Sequence, residues 1–270
     1  MAIKFVGYFC PMLRIFVTFI FVFIVHVGYS QLRVTKLVLD PGEKFDIEKS
    51  DILVVDTLVM LDSSSILLNL SKRDNFIHAK EVLIGANCSI LGHGVNGKPG
   101  SAGLSGNTSR TPCRSGFPGS NASAGVGGQN AVNLSLYFDN LKISGSLIIN
   151  LNGGDGGDGG KGGVGGDGGS GTRVCVAGDG GRGGNGANGG GGGKGGNVTI
   201  NCKNCDDLHL IMGHKLIIKN FGGLGGIGGD SGFGGRAGLG PIGDGKNGIR
   251  GSNGAHAAQG KDGVVNLSRN

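Results

Sequence analysis

Cys202-x2-Cys205-x3-His209-x4-His214 carries the ligand types of a small zinc module. Zinc needs four side chains converging from a turn, however, and Leu208, Leu210 and Ile211 read as a strand, on which neighbours alternate between faces. A local Cys202–Cys205 disulfide at a strand corner is the reading the spacing favours. Asp155 and Asp158 are the other metal candidates, because Gly-Gly-x-Gly-x-Asp repeats bind calcium in parallel β-rolls. Those repeats have a nonapeptide period, whereas here the carboxylates follow a three-residue beat beside Lys161, as a solvated stripe would. Gly193-Lys194-Gly195 lacks the Ser or Thr and the helix that a phosphate loop requires. His78, His93 and His256 stand isolated, and no Ser/His/Asp or paired-carboxylate set can be assembled. The expectation is no cofactor, no resident metal and no enzymatic activity.

Whatever positions these residues is dominated by glycine. The chain has 270 residues, 61 of them Gly, with no Trp, three Tyr and six Pro. Collagen is excluded by the low proline, and a base-stacking nucleic-acid binder by the scarcity of aromatics. Residues 1–30 read as a secretory signal peptide: Lys4 and Arg14 precede an apolar run from Ile15 to Val25, with small residues at Gly28 and Ser30. Removal of that segment takes the formal charge from +6 to +4, without a block of one sign, so no nucleic acid is expected as partner. The run is also too short for a stable membrane span. A secreted or cell-surface location follows as an expectation, and five cysteines remain in a compartment where disulfides persist.

Internal repetition organises the rest. Val132, Val198 and Val264 stand 66 residues apart, and each belongs to a unit of β-like residues joined to glycine. Residues 31–93 read as an N-terminal strand or solenoid cap, and 94–270 as the repeat region. Strand pairs are expected at about 131–152 and 197–221, and glycine hairpins at about 94–128, 153–196 and 222–263. In each hairpin glycine recurs every third residue on the way out and on the way back, the period of a polyproline-II helix. Glycine on that stripe lets such helices approach until their amides bond sideways. Cys113 and Cys175 occupy the same phase at adjacent tips, three residues before Gly116 and Gly178, which predicts a disulfide between them. Cys88, in a strand, reads as a buried free thiol. The outward positions of the third hairpin are Leu224, Ile227, Phe233, Leu239 and Ile242, broken by Asp230 and Arg236; these are the candidate binding face.

Gly-Gly-Asp-Gly-Gly-Asp-Gly-Gly-Lys-Gly-Gly at 153–163 and Gly-Gly-Gly-Gly-Gly-Lys-Gly-Gly-Asn-Val at 189–198 resemble the glycine arms of polyglycine-II proteins. The likeness is to snow flea antifreeze proteins, the N-terminal domain of Obg GTPases and the tip adhesins of T-even-like phages. The closest overall likeness is to secreted Gly-rich repeat proteins of Bacteroidetes-like bacteria. The resemblance implies an all-β or irregular fold in which short β-solenoid strands carry three stacked Gly-rich hairpins as a polyglycine-II bundle, with almost no α-helix after the signal peptide. The functional expectation is a non-enzymatic extracellular or cell-surface structural or adhesive protein that uses the bundle to grip a surface ligand, protein or glycan. Ice binding and a carbohydrate-active solenoid enzyme are its rivals.

Overall fold

A computed structural model describes residues 31–47, 50–205 and 208–268, so the expected signal peptide lies outside the described residues. Six strands form one sheet: β1 (Gln31–Leu39), β3 (Ile52–Met60), β5 (Asp74–Ile84), β7 (Asn133–Ile143), β9 (Val198–Cys202) and β11 (Val265–Ser268). The second sheet holds β2 (Lys44–Asp46), β4 (Ser65–Leu67), β6 (Cys88–Leu91), β8 (Leu147–Asn150) and β10 (Leu216–Lys219). Strand order follows the chain in both sheets, and every pair is parallel. The chain therefore passes from one sheet to the other and back, and the two strands of each sequence unit lie in different sheets. Sharp corners make the crossing possible: Gly42 (φ 75°) and Gly213 (φ 79°) take left-handed conformations there, as do Ser63 and Asn87.

Alternation decides which side of each strand faces inward. In β3, Leu53, Val55, Leu58 and Met60 are buried, and the phase shifts where Asp56 and Thr57 both turn outward. β5 shifts in the same place, at Lys80 and Glu81. Parallel register stacks like on like: Leu53, Ile77, Leu136 and Ile200 form one inward row, and Ile66, Ile90, Ile149 and Ile218 the facing one. Full burial of such a side chain, which all but the half-buried Ile218 reach, stabilises the fold by about 1.5–3 kcal/mol.

This arrangement corrects the expected fold class. The molecule is an all-parallel two-sheet β-sandwich, and the reading of it as a β-solenoid of Gly-rich hairpins forming a polyglycine-II bundle is overturned, together with the resemblance that carried it. The reason lies in where apolar side chains are buried. The core cluster is built from the strands and their flanking residues, whereas the three glycine segments contribute only Ala177 to the buried apolar set, away from that cluster. Near-absence of helix agrees with expectation: the described residues hold one short turn of helix, α1 (Leu208–Ile211).

The glycine segments are extended connections that leave the five-stranded sheet after β6, β8 and β10 and rejoin the six-stranded sheet at β7, β9 and β11. Their amides bond from arm to arm at three-residue intervals. Gly97 N donates to Asp155 O (2.7 Å), Gly156 N to Leu224 O (2.8 Å) and Gly180 N to Lys246 O (2.8 Å). A Cβ added at Gly163 would stand 2.0 Å from Leu104 O, so the close approach of backbones requires glycine there. The 66-residue spacing also needs correction: Leu134 pairs with Val198, and Val198 with Val265, because the arms differ in length.

Candidate functional site

Parallel register also aligns the outward side chains of the six-stranded sheet. Ile52 stands beside Phe76, and Val54 beside His78, which in turn stands beside Tyr137. Adjacent strands are about 4.8 Å apart and alternate residues on one strand about 6.6 Å apart, so these five side chains tile a continuous patch. Ile52, Val54 and Phe76 are half-buried and make its floor, while His78 and Tyr137 rise from it. The His78 and Tyr137 rings meet edge to face, with centroids 6.4 Å apart and planes at 86°. Tyr137 is 39% exposed, so much of its ring surface is open.

Polar groups border the patch. Arg33 lies beside Val54 at one side, and Asn201 beside Tyr137 at the other. At the phase shift Lys80 Nζ bonds Asp56 Oδ1 at 2.7 Å. The hydrogen bond from Lys80, then its charge, holds the Asp56 carboxyl below the usual carboxylate range, and Arg33 adds in the same direction. Asp56 is thereby kept ionised and acts as an acceptor, with no proton to give near neutral pH. The arrangement offers aromatic faces, a flat apolar floor, and donors and acceptors on the rim.

The sequence reading treated His78 as isolated; in the fold it is the neighbour of Tyr137. Neither residue was singled out, because the register that joins them skips 59 residues across a glycine segment. The outward phase of Phe76-x-His78 and Ser135-x-Tyr137 was the available signal.

Cys113 and Cys175 are bonded to each other at the tips of the first two glycine segments, with Cα atoms 6.0 Å apart. Cys202 and Cys205 form the second disulfide. That bond occupies both thiols of the zinc candidate. His209 lies on α1, in place of the expected strand, and His214 on the exposed turn after it. Among the described residues no group of three His, Cys, Asp or Glu side chains is placed to hold a metal ion. Asp155 and Asp158 instead accept hydrogen bonds through Oδ1 from Leu224 N (2.7 Å) and Ile227 N (2.8 Å). Cys88 is buried and free, its Sγ 3.2 Å from Leu61 O. Leu224, Ile227, Phe233, Leu239 and Ile242 are all exposed along one edge of the third segment.

No family model, curated protein or solved structure matches the chain. The expected surface-gripping polyglycine-II scaffold is corrected with the fold: the molecule is a β-sheet domain held by a packed core, buried polar networks and disulfides. Asn69 and Asn75 illustrate such a network, since Asn75 Oδ1 accepts from Asn69 N and Asn75 Nδ2 donates to Asn69 O inside the turn before β5. Among the described residues no helix is long and apolar enough to cross a membrane.

Proposed function

We propose that this protein is a non-catalytic glycan-binding protein whose binding surface is the aromatic patch on the outer face of the six-stranded sheet. The observation that supports the reading is the registered set of Phe76, His78 and Tyr137 on two adjacent strands, bordered by Arg33, Asn201 and the Asp56–Lys80 pair. A pyranose ring has an apolar face of C–H groups and a rim of hydroxyls. The patch offers the complement of both: rings to receive the face, and charged or amide groups to receive the hydroxyls. Nearby Asp56 is held ionised by Lys80, which suits it to accept from hydroxyls and unsuits it to general-acid catalysis. Two disulfides support residence in an oxidising compartment, where extracellular glycans are met.

Titration of the purified protein with a panel of soluble oligosaccharides tests the reading. The chain has no Trp, and Tyr137 is the one tyrosine beyond residue 30, so in protein prepared without residues 1–30 tyrosine emission reports on the patch. A saturable change is expected with at least one glycan class, and Tyr137→Ala, which removes the reporter and is therefore followed by isothermal titration calorimetry beside the parent protein, should weaken binding about tenfold or more. Absence of binding across the panel, or binding indifferent to Tyr137→Ala, overturns the proposal.

A further inference from the structure

The exposed edge of the third glycine segment is centred on Phe233, with charges opposed and apolar residues matched to either side. At three-residue steps outward from it stand Asp230 and Arg236, then Ile227 and Leu239. Each of these is solvent-exposed, Phe233 at 62%, with Arg250 covering one ring face from 4.5 Å. The neighbouring row on the second segment also has opposed charges about its centre. Asp158 Oδ1 accepts from Ile227 N and Asp167 Oδ1 from Arg236 N, while Gly165 N donates to Phe233 O, which sets Val164 beside Phe233. Lys161 and Asp167 then stand one step to either side of Val164.

We infer that this face is a two-fold interface, and that its occupant is a second copy of the chain laid antiparallel on the first. A two-fold axis lying across the rows, through Val164 and Phe233, sets each of those residues against itself. It brings Asp230 opposite Arg236 of the second copy, Lys161 opposite Asp167, and Ile227 opposite Leu239. Both of these charged pairs are of opposite sign, and symmetry doubles each one, as an isologous contact requires. Lys161 already lies 3.8 Å from Asp230 within one chain, so the four charges nearest the axis join into an alternating network across it. A parallel stacking about an axis along the Phe233 row would set Asp230 on Asp230 and Arg236 on Arg236, which like-charge repulsion rejects, and one about an axis midway between the rows would set Phe233 on Val164, which self-crosslinking of Phe233→Cys tells apart. Dimerisation extends the proposed function by presenting two sheet patches per particle, and it does not depend on what those patches bind.

Sedimentation velocity on the purified full chain, across a concentration series at low and high salt, is the test. A concentration-dependent dimer weakened by salt is expected. Arg236→Asp leaves only acidic groups at both positions, and Asp230→Arg only basic ones; each should weaken self-association at least about 30-fold. Mixed together, the two variants should form a heterodimer, which misfolding of either could not produce. Phe233→Cys should crosslink to its own copy under mild oxidation, whereas Ile227→Cys should crosslink only when mixed with Leu239→Cys. A monomer at all concentrations overturns the inference. So does a dimer indifferent to Arg236→Asp, or two charge variants that fail to pair.

Discussion

In the sandwich, Leu53, Ile77, Leu136 and Ile200 stand in one inward row, and apolar side chains meet across the space between the sheets. In the glycine segments that follow β6, β8 and β10, Gly97, Gly156 and Gly180 bond directly to carbonyls of the neighbouring arm, and a side chain would prevent the approach. The sheets are thus held by hydrophobic burial acting on side chains. The arms are held by backbone hydrogen bonds, whose net contribution is about 0.5–1.5 kcal/mol each and is opposed by the large conformational entropy that glycine loses on ordering. The comparison teaches that the two regions respond to different substitutions and anchor one another, since each arm begins and ends in a strand.

The sharpest way to separate them is to truncate the core. Ile149→Ala, at a fully buried position of β8, should lower global unfolding stability by about 2–5 kcal/mol in a denaturant titration, and melt arms and sheets together. Replacing Cys113 and Cys175 by Ser should cost about 2–4 kcal/mol, confined to the arms. Hydrogen exchange should quicken near the two tips while the strands keep their protection. Gly163→Ala should cost about 1–3 kcal/mol through the clash with Leu104 O, opening the first two segments and leaving the far-UV spectrum of the sheets unchanged. If the sheets melted with it, the division drawn between the regions would fail.

The smallest effect belongs to the Asp56–Lys80 pair on the outer face. Its folded-state carboxyl lies below the ordinary range, so its stabilisation is present above the unfolded value and is lost as pH falls through the folded one. Lys80→Ala should raise the Asp56 titration midpoint toward the ordinary carboxylate value, followed by carboxyl carbon NMR. The thermal midpoints of the two proteins should differ slightly at neutral pH and converge in acid.

The strand segments were legible because their period-two alternation is local. The three-residue glycine beat was equally legible, and so was the matching phase of Cys113 and Cys175. What misled was weight: 61 glycines made the arms look like the fold, although glycine has no side chain with which to bury apolar surface. His209 was expected on a strand and lies on α1, since a four-residue helical turn leaves no periodic trace. The aromatic patch was out of reach for a related reason. Phe76 and His78 are close in sequence, but Tyr137 joins them only through a register that spans a glycine segment, and arm length is not encoded in either strand.

By itself, then, the sequence determined the local conformations: which residues are extended, which faces are apolar, where backbone must approach backbone, and which cysteines share a phase. Tertiary structure alone decided that the strands divide between two parallel sheets, that His78 meets Tyr137, and that Val164 lies beside Phe233. The physical reason is that alternation and glycine period are one-dimensional signals carried by neighbours in the chain. Register between distant strands is chosen only when their inward rows pack against each other, and a shift of one residue would turn the apolar row outward.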